Sequence, residues 1–554
     1  MAQQSKKEKI LVCSAWPYAN GDLHLGHVAG AYLPADIFAR FHRLLGNDVL
    51  FVSGSDAHGT PITLKAKQEG VTPLEIVNRY HERFLEGWSR LGITFDHFTH
   101  THTENHIKVV SEIFQKLKEQ GDLKVATQQQ FFDVQEKMFL PDRYVHGTCP
   151  FCDSDKARGD QCESCGKTYE TSLLKNPVST LSDSTPELRD TDHFFFHMEH
   201  YQEALAKYVA TQDHWRPAVK NFTASMIDDG LRSRAITRDI DWGIPVPEAG
   251  WEEKVIYVWF DAVIGYLSAS KEWAALSGIE DAWQDWWKDK DAKTYYFIGK
   301  DNVPFHTVIW PIELMAYDPE LNLPFDVPAN QFLNIAGEKF STSRGLAVWL
   351  LDVLDKFDAD SVRFYLTSIM PETKDANFSW DEFFTRNNGE LVAAWGNLVN
   401  RVFGFAHKRY DAIIPQPQEL AELDTTLLSE IEAGFETVAV HYKKVELRDA
   451  LKEAMRLVRC VNRYLDEKAP WTAFKTDPVA AGTSVYVAMK AIDSLKILLA
   501  PVLPNSSEEI HRAFGYSTPL FESQWAASTL EAGKPFSRPE PLYKVLEAEE
   551  ETEE

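Results

Sequence analysis

Four cysteines stand in two close pairs, Cys149-Pro150-Phe151-Cys152 and Cys162-Glu163-Ser164-Cys165, with nine residues between the pairs. Two C-x-x-C knuckles at so short a separation can close a tetrahedral thiolate site. Four thiolates leave no coordination position open, which points to one structural Zn2+ and not a catalytic one. A second group is His24-Leu25-Gly26-His27, set in I-L-V-C-S-A-W-P-Y-A-N-G-D-L-H-L-G-H. Two histidines three residues apart at the start of a helix share one face. Backbone N–H groups and the positive end of the helix dipole point the same way, and Gly26 admits close approach, so the pair suits a phosphate. Taken alone, H-x-x-H equally suits a surface histidine pair beside a loop.

Other groups fall at the ends of apolar runs. Asp56 lies in S-G-S-D-A-H-G-T, directly after Val49-Leu50-Phe51-Val52. Gly299-Lys300-Asp301 follows Tyr295-Tyr296-Phe297-Ile298, and an aspartate there is placed for a ribose hydroxyl. Either aspartate by itself also fits an ordinary cap or turn. Gly337-Glu338-Lys339-Phe340-Ser341-Thr342-Ser343-Arg344-Gly345 combines small hydroxylated residues, glycines and two cations, the composition of a loop that binds a polyphosphate. A basic surface turn has the same composition.

These groups need a scaffold. Ile10-Leu11-Val12 and Val49–Val52 read as buried strands, with an amphipathic helix from Ala35 to Leu45 between them. That alternation predicts a parallel α/β sheet with ligands at the carboxyl ends of its strands. The pattern stops over residues 118–240, which carry the cysteines, and returns near Ile240 with Lys254–Phe260, read as a strand leading to Asp261, and with Tyr295–Ile298. A Rossmann-type sheet split by a zinc-binding insertion is therefore expected. From about Gly389 helical spacing takes over: Leu391, Val392, Trp395, Leu398, Val399, Val402 and Phe403, then Leu447, Leu451, Ala454, Met455, Val458 and Leu465, then Ala488 to Leu499. An antiparallel helical bundle is expected, with Ser506-x-x-Glu509 as a capping box.

Length and composition agree. A chain of 554 residues needs several domains, and 44% hydrophobic with 25% charged residues is ordinary globular composition. No apolar run approaches a membrane span, and the start M-A-Q-Q-S-K-K-E-K lacks the apolar core of a secretion signal, so a cytoplasmic protein without membrane contact is expected. A net charge of −26 argues against a generic nucleic-acid coat but leaves room for a local basic face. The last eight residues, with six glutamates, read as a solvated tail. Cys13 and Cys460 stand alone and read as buried packing residues.

A-W-P-Y-A-N-G-x-x-H-L-G-H resembles the HIGH signature region of the class I aminoacyl-tRNA synthetases, and its flank is most similar to the methionine-specific members. D-A-H-G-T-P-I, Y-V-W-F-D-A, F-I-G-K-D-N-V-P-F-H and the Gly337–Gly345 loop, similar to KMSKS, extend the resemblance in the family's order from about residue 10 to about 540. Two positions depart from it: Thr342 stands where the family has its second loop lysine, and Val263 where a proline is usual.

The resemblance implies ATP-dependent activation of L-methionine to methionyl-adenylate, then transfer to the 3′ end of tRNA(Met). It implies that His24 and His27 hold ATP phosphates, that Gly299 and Asp301 hold the ribose, and that Lys339, with Arg344 second and Mg2+ sharing the charge, holds the β- and γ-phosphates. Methionine would have its ammonium at Asp56 and its thioether among Tyr18, Trp259 and His306, with Trp310 in a second layer. Asn397, Arg401 and Trp471 match positions that read the anticodon, although Trp471 beside Pro470 also suits a core aromatic. The expected organisation is a first catalytic half at 1–117, the zinc insertion at 118–240, the second catalytic half at 241–330, the KMSKS-type loop and stem-contact region at 331–388, the anticodon bundle at 389–545 and the acid tail at 546–554.

Two alternatives remain at this level. Synthetases for isoleucine, leucine or valine carry an editing insertion too long for residues 118–240, and the cysteine enzyme places zinc in its amino-acid pocket. A non-catalytic tRNA-binding derivative has no need of His24, His27, Asp56 and Asp301 together.

Overall fold

The structure is a computed structural model that describes residues 7–140, 144–159, 162, 164, 165, 167, 169–335, 338–339 and 347–547, the pair 338–339 by backbone alone. Five strands build the catalytic sheet: β1 (Lys9–Ser14), β2 (Asp48–Ser55), β3 (His97–His100), β4 (Lys293–Gly299) and β5 (Ala329–Asn330). All pair in parallel, in the order β5-β4-β1-β2-β3. Val12 sits between Phe51 on one side and Tyr295 on the other. Ile10 to Cys13 are fully buried, as a central strand covered on both faces requires.

The strand order reverses between β1 and β4, which opens a crevice at their carboxyl ends. The helix after β1 begins at Leu25, passes through a π turn at Val28–Tyr32 and runs on as Leu33–Leu44. Its face with Ile37, Phe38 and Phe41 is buried over β1 and β2.

Between β3 and β4 the chain leaves the sheet. Leu123–Asp133 and Glu187–Phe196 form a long antiparallel ribbon, and the cysteine pairs lie beyond it with the small sheet of Val145–Thr148, Ala157–Arg158 and Lys175–Ser179. The C-terminal part packs helices Asn397–Arg409, Glu422–Lys443, Leu447–Lys468, Pro478–Leu499 and Pro504–Ala513. Among the described residues no helix is long and apolar enough to cross a membrane.

Three expectations are corrected. Lys254–Phe260 is not one strand: only Val255–Ile256 is extended, and a helix runs from Val258 to Leu276. The apolar run continues through Val263, Ile264, Tyr266 and Leu267, all buried, so length decides for helix, and Asp261 falls in its first turn where the dipole favours an acid. Ser506-x-x-Glu509 is not a capping box, because the helix begins earlier, at Pro504. The cap comes from another helix: Asp360 accepts the N–H groups of Asn505 and Ser506 and the Ser506 hydroxyl. Cys13 is buried, but Cys460 is only half-buried, with its thiol against Glu430.

Candidate active site and anticodon pocket

His24 caps the short helix that begins at Leu25, and the two signature histidines cap each other. The His27 N–H donates to His24 Nδ1 at 3.2 Å, and the His24 N–H donates to His27 Nδ1 at 3.3 Å. Their rings stack with centroids 3.6 Å apart. A neutral ring whose Nδ1 accepts carries its proton on Nε2, so each ring keeps one N–H donor, the chemistry a phosphate oxygen needs. Gly299 ends β4 and Asp301 follows it at an exposed turn, on the far side of the β1/β4 crevice.

The loop after β1 and the end of β2 are laced together. The Asp56 N–H donates to Pro17 O at 2.8 Å, and the Ala19 N–H donates to Asp56 O at 2.9 Å, which brings Tyr18 beside Asp56. Asp56 is almost wholly buried; burial, and then the charge of Asp261, push its carboxyl well above the usual carboxylate range. The Tyr18 ring stands edge-on to Trp259 at 6.2 Å, and Trp259 stacks flat on Phe305 at 3.8 Å. His306 is buried. Its Nδ1 donates to Asn302 O at 2.9 Å and its Nε2 accepts the Tyr266 hydroxyl at 2.7 Å. Burial holds its pKa down to about 4, so the ring is neutral. Trp310 is fully buried behind it, against Tyr266 and Trp287. The result is an aromatic cleft lined by neutral groups, with the buried carboxyl of Asp56 held beside Tyr18.

Trp16 fixes the back of this cleft. It lies between Gly54 on β2 and Gly265 on the Val258–Leu276 helix, where a Cβ at either position would overlap the indole.

In the insertion, the sulfurs of Cys149, Cys152, Cys162 and Cys165 converge within 4.8 Å of one another. Cys149 and Cys165 are 3.9 Å apart, and Cys152 and Cys162 3.7 Å. A tetrahedron with Zn–S bonds of about 2.3 Å has edges of about 3.8 Å, so the four sulfurs fit that ion. The Phe151 and Ser164 N–H groups donate to Cys149 and Cys162 Sγ, which suits thiolates. Lys339 is paired by its backbone to Asn334, while Thr342 and Arg344 lie outside the described residues.

On the bundle, the Arg401 guanidinium sits 4.9 Å over the Trp471 ring, and Phe405 meets the other edge of that indole at 5.2 Å. Asn400, Arg401, Gly404, Phe405, Trp471 and Arg538 line a shallow pocket of about 380 Å³. Asn397 is exposed one helical turn before Arg401 and does not line it.

Residues 10–403 match the family model described as tRNA synthetases class I (M), and residues 414–554 match the anticodon binding domain of methionyl tRNA ligase. The chain belongs to the methionine-specific class I tRNA synthetases. It is 53% identical to the methionine–tRNA ligase of Thermomicrobium roseum over 98% of this chain and 97% of that protein. It is 49% identical to that of Dehalococcoides mccartyi strain CBDB1, over 98% and 99%. Among solved structures it is similar to Mycobacterium tuberculosis methionyl-tRNA synthetase bound by methionyl-adenylate, with TM-score 0.81 and 25% identity, covering 97% of this chain and all of that one. Family membership carries the activity: ATP and L-methionine give methionyl-adenylate, and the methionyl group passes to tRNA(Met).

Within this synthetase the residue-by-residue reading left out Tyr266, Phe305 and Trp16, and on the bundle Asn400, Phe405 and Arg538. Tyr266 was within reach of a pattern argument, since it lies seven residues, two helical turns, after Trp259. Arg538 was not: it arrives from the C-terminal segment, and its guanidinium donates to Asn400 Oδ1 at 2.9 Å.

Proposed function

We propose that the β1/β4 crevice holds ATP and that the aromatic cleft beside it holds methionine, with the following division of labour. His24 and His27 donate Nε2–H bonds to phosphate oxygens. Gly299 and Asp301 hold the ribose. Lys339, and Arg344 after it, neutralise the β- and γ-phosphates, with Mg2+ accompanying ATP. Asp56 holds the methionine ammonium, and Tyr18, Trp259 and His306 surround the thioether. Sulfur against aromatic edges is worth roughly 0.3–1.5 kcal/mol per contact, so the cleft selects methionine by fit and not by one strong bond. The neutral state of His306 supports this, because a charged ring would favour a polar side chain. Asn397, Arg401 and Trp471 recognise the anticodon. One Zn2+ on the four cysteines holds the insertion in shape. We place the protein in the cytoplasm, where thiols stay reduced.

The chemistry is attack of the methionine carboxylate on the α-phosphate with departure of pyrophosphate. It asks the protein for alignment and charge neutralisation, not for a covalent intermediate. The observation that carries the reading is the lacing of Tyr18 to Asp56, which sets one buried carboxyl beside the aromatic rings. In methionine-dependent ATP–pyrophosphate exchange, Asp56→Asn is expected to raise the methionine KM by about a hundredfold, near 2.7 kcal/mol, with little change in the ATP KM. An unmoved methionine KM overturns the assignment.

A further inference from the structure

Behind Asp56 lies a row of groups that the reaction as written does not use. The His58 N–H donates to Asp56 Oδ1 at 3.0 Å, and the His58 ring, fully buried, points away from it. Its Nδ1 is 3.0 Å from Asp261 Oδ2, and its Nε2 is 3.0 Å from His102 Nδ1. His102 is half-buried, stacked at 4.4 Å on Trp242, whose indole N–H donates to Ala57 O. Asp261 is fully buried, and among the described residues its Oδ1 has no hydrogen-bond partner. A buried carboxyl, a buried imidazole and a half-buried imidazole are thus joined in a row whose middle member is bonded through its backbone N–H to Asp56.

Such a line has two bonding patterns. In one, Asp261 is protonated and donates to His58 Nδ1, His58 Nε2–H donates to His102 Nδ1, and His102 carries a proton on Nε2. In the other, His58 Nδ1–H donates to a charged Asp261, His102 Nδ1–H donates to His58 Nε2, and His102 Nε2 is bare. The first holds three protons and the second two. Passing between them shifts one proton along each link and exchanges one with water at His102 Nε2, while the charge appears at the buried end.

We propose that Asp261, His58 and His102 form a proton relay that couples arrival of the methionine ammonium at Asp56 to release of one proton from His102. The proposal rests on Asp56 being the ammonium site. Without substrate, burial favours the neutral pattern, since it pushes the Asp261 carboxyl well up and holds His58 at about 3 and His102 at about 4, so both rings are neutral. The other titratable groups around the row act in the same direction. Burial, and then the charge of Asp261, push up the carboxyls of the buried acids Asp56 and Glu313, so the three compete for charge, while burial first of all pushes His100 and His106 down. A cation at Asp56 reverses the balance and stabilises the charged pattern. Asp261 and His102 are therefore positioning residues, acting on the substrate's charge through Asp56.

The test is calorimetry of L-methionine binding to the whole protein at pH 7 in phosphate and in Tris, whose different ionisation heats report protons released. The wild type is expected to release close to one proton per methionine. Asp261→Asn, the same shape without a titrating end, is expected to release about one proton fewer than the wild type, because any proton given up by Asp56 itself is common to both. A wild type that releases none, or an Asp261→Asn variant that releases as many as wild type, overturns the relay. His102→Phe removes the open end at a half-exposed position. It is expected to lose the extra proton release as Asp261→Asn does and to weaken methionine binding with it, and proton release and affinity both at wild-type level remove His102 from the path. Asp56→Asn separates the two readings. Lost methionine binding in that variant together with no wild-type proton release sinks the relay alone, whereas full affinity in that variant sinks the ammonium site beneath it.

Discussion

The Leu25 N–H donates to the Val348 carbonyl at 3.0 Å, and the Leu350 N–H returns the bond to Leu23 O at 2.8 Å. His24 is bridge-paired with Trp349 between them. The chain that follows the Gly337–Gly345 loop is thus fastened backbone to backbone onto the histidine signature. At the other end of the loop Lys339 pairs with Asn334, whose strand pairs with Ala376–Phe378.

This tethering sets the first prediction. The backbone bonds on either side of the loop tie its neighbours to the Asn334 strand and to the histidine segment, and the proposed role of its cations is a matter of charge. Lys339→Ala is expected to lower the rate of adenylate formation more than tenfold, a barrier increase above about 1.4 kcal/mol. Arg344→Ala has a smaller effect and Thr342→Ala the smallest, because a hydroxyl brings no charge. Thr342→Lys is tolerated. Pre-steady-state adenylate formation in the four variants gives the order, and a silent Lys339→Ala with a crippled Thr342→Ala reverses the roles.

The cysteine site yields a second prediction. The sulfur spacing matches a tetrahedral zinc, and Cys149 and Cys162 are buried in a small apolar cluster with Leu140, Tyr144 and Val145. Metal analysis of native protein is expected to give one zinc per chain. Cys162→Ala loses it and lowers the melting temperature of the insertion, and adenylation falls only as a consequence of that unfolding. Full metal retention by Cys162→Ala, or native protein without zinc, speaks against the site.

What the residues disclosed in advance follows a physical division. The strands Ile10–Val12, Val49–Val52 and Tyr295–Ile298 are local apolar runs bounded by turns, and the cysteine knuckles carry their chemistry in their spacing. Both are readable without knowing the fold. Lys254–Phe260 reads as a strand yet mostly begins a helix, because an apolar run buried on all sides has neither helical nor strand period. The Asp261–His58 pair joins residues 203 apart, and Trp16 threads between Gly54 and Gly265 from two other elements. No local pattern encodes such meetings; they exist only once the sheet is assembled.

A third prediction concerns the junction of the catalytic fold with the bundle. Asp36 is fully buried between two cations: Arg40 Nε donates to Oδ2 at 2.8 Å and Arg363 Nη2 at 2.7 Å, while Thr94 donates to Oδ1. Arg363 also donates to the Pro501 and Val502 carbonyls, which ties the helices together. Burial pushes the Asp36 carboxyl up, but Arg40, Arg363 and Thr94 outweigh it and hold its pKa down to about 2. A folded pKa below the unfolded value means stability that is present above about pH 4 and lost as pH falls through about 2, amounting to about 2 kcal/mol. Asp36→Asn leaves two buried guanidiniums without a counter-charge and is expected to cost about 3–5 kcal/mol at neutral pH. Urea unfolding at pH 7 gives the cost of the substitution, and at pH 3 about half of the acid-dependent loss is expected in the wild type. In the variant, the acid-dependent loss assigned to this carboxyl disappears.

The last prediction separates the two ends of the molecule. Trp471 is held by Phe405 at its edge and by Arg401 over its face, yet it remains partly exposed at the pocket's rim. A core tryptophan would be covered on both faces, as Trp395 and Trp310 are. An indole with one cation above it and an open pocket beside it suits a nucleotide base, which adds its own π-face to the stack. Replacing such a platform by alanine removes roughly 1–3 kcal/mol of binding, about 5- to 150-fold in affinity. Trp471→Ala is therefore expected to reduce tRNA(Met) charging by raising the tRNA KM within that range. Methionine-dependent pyrophosphate exchange, which needs no tRNA, stays within about twofold of wild type. Arg401→Gln should weaken charging less and should flatten its dependence on salt, because a phosphate or base contact made by a cation is lost. Measuring exchange and charging on the same preparations decides the matter. Parallel loss of both activities in Trp471→Ala makes the indole a packing residue of the bundle, and the pocket then needs another reader.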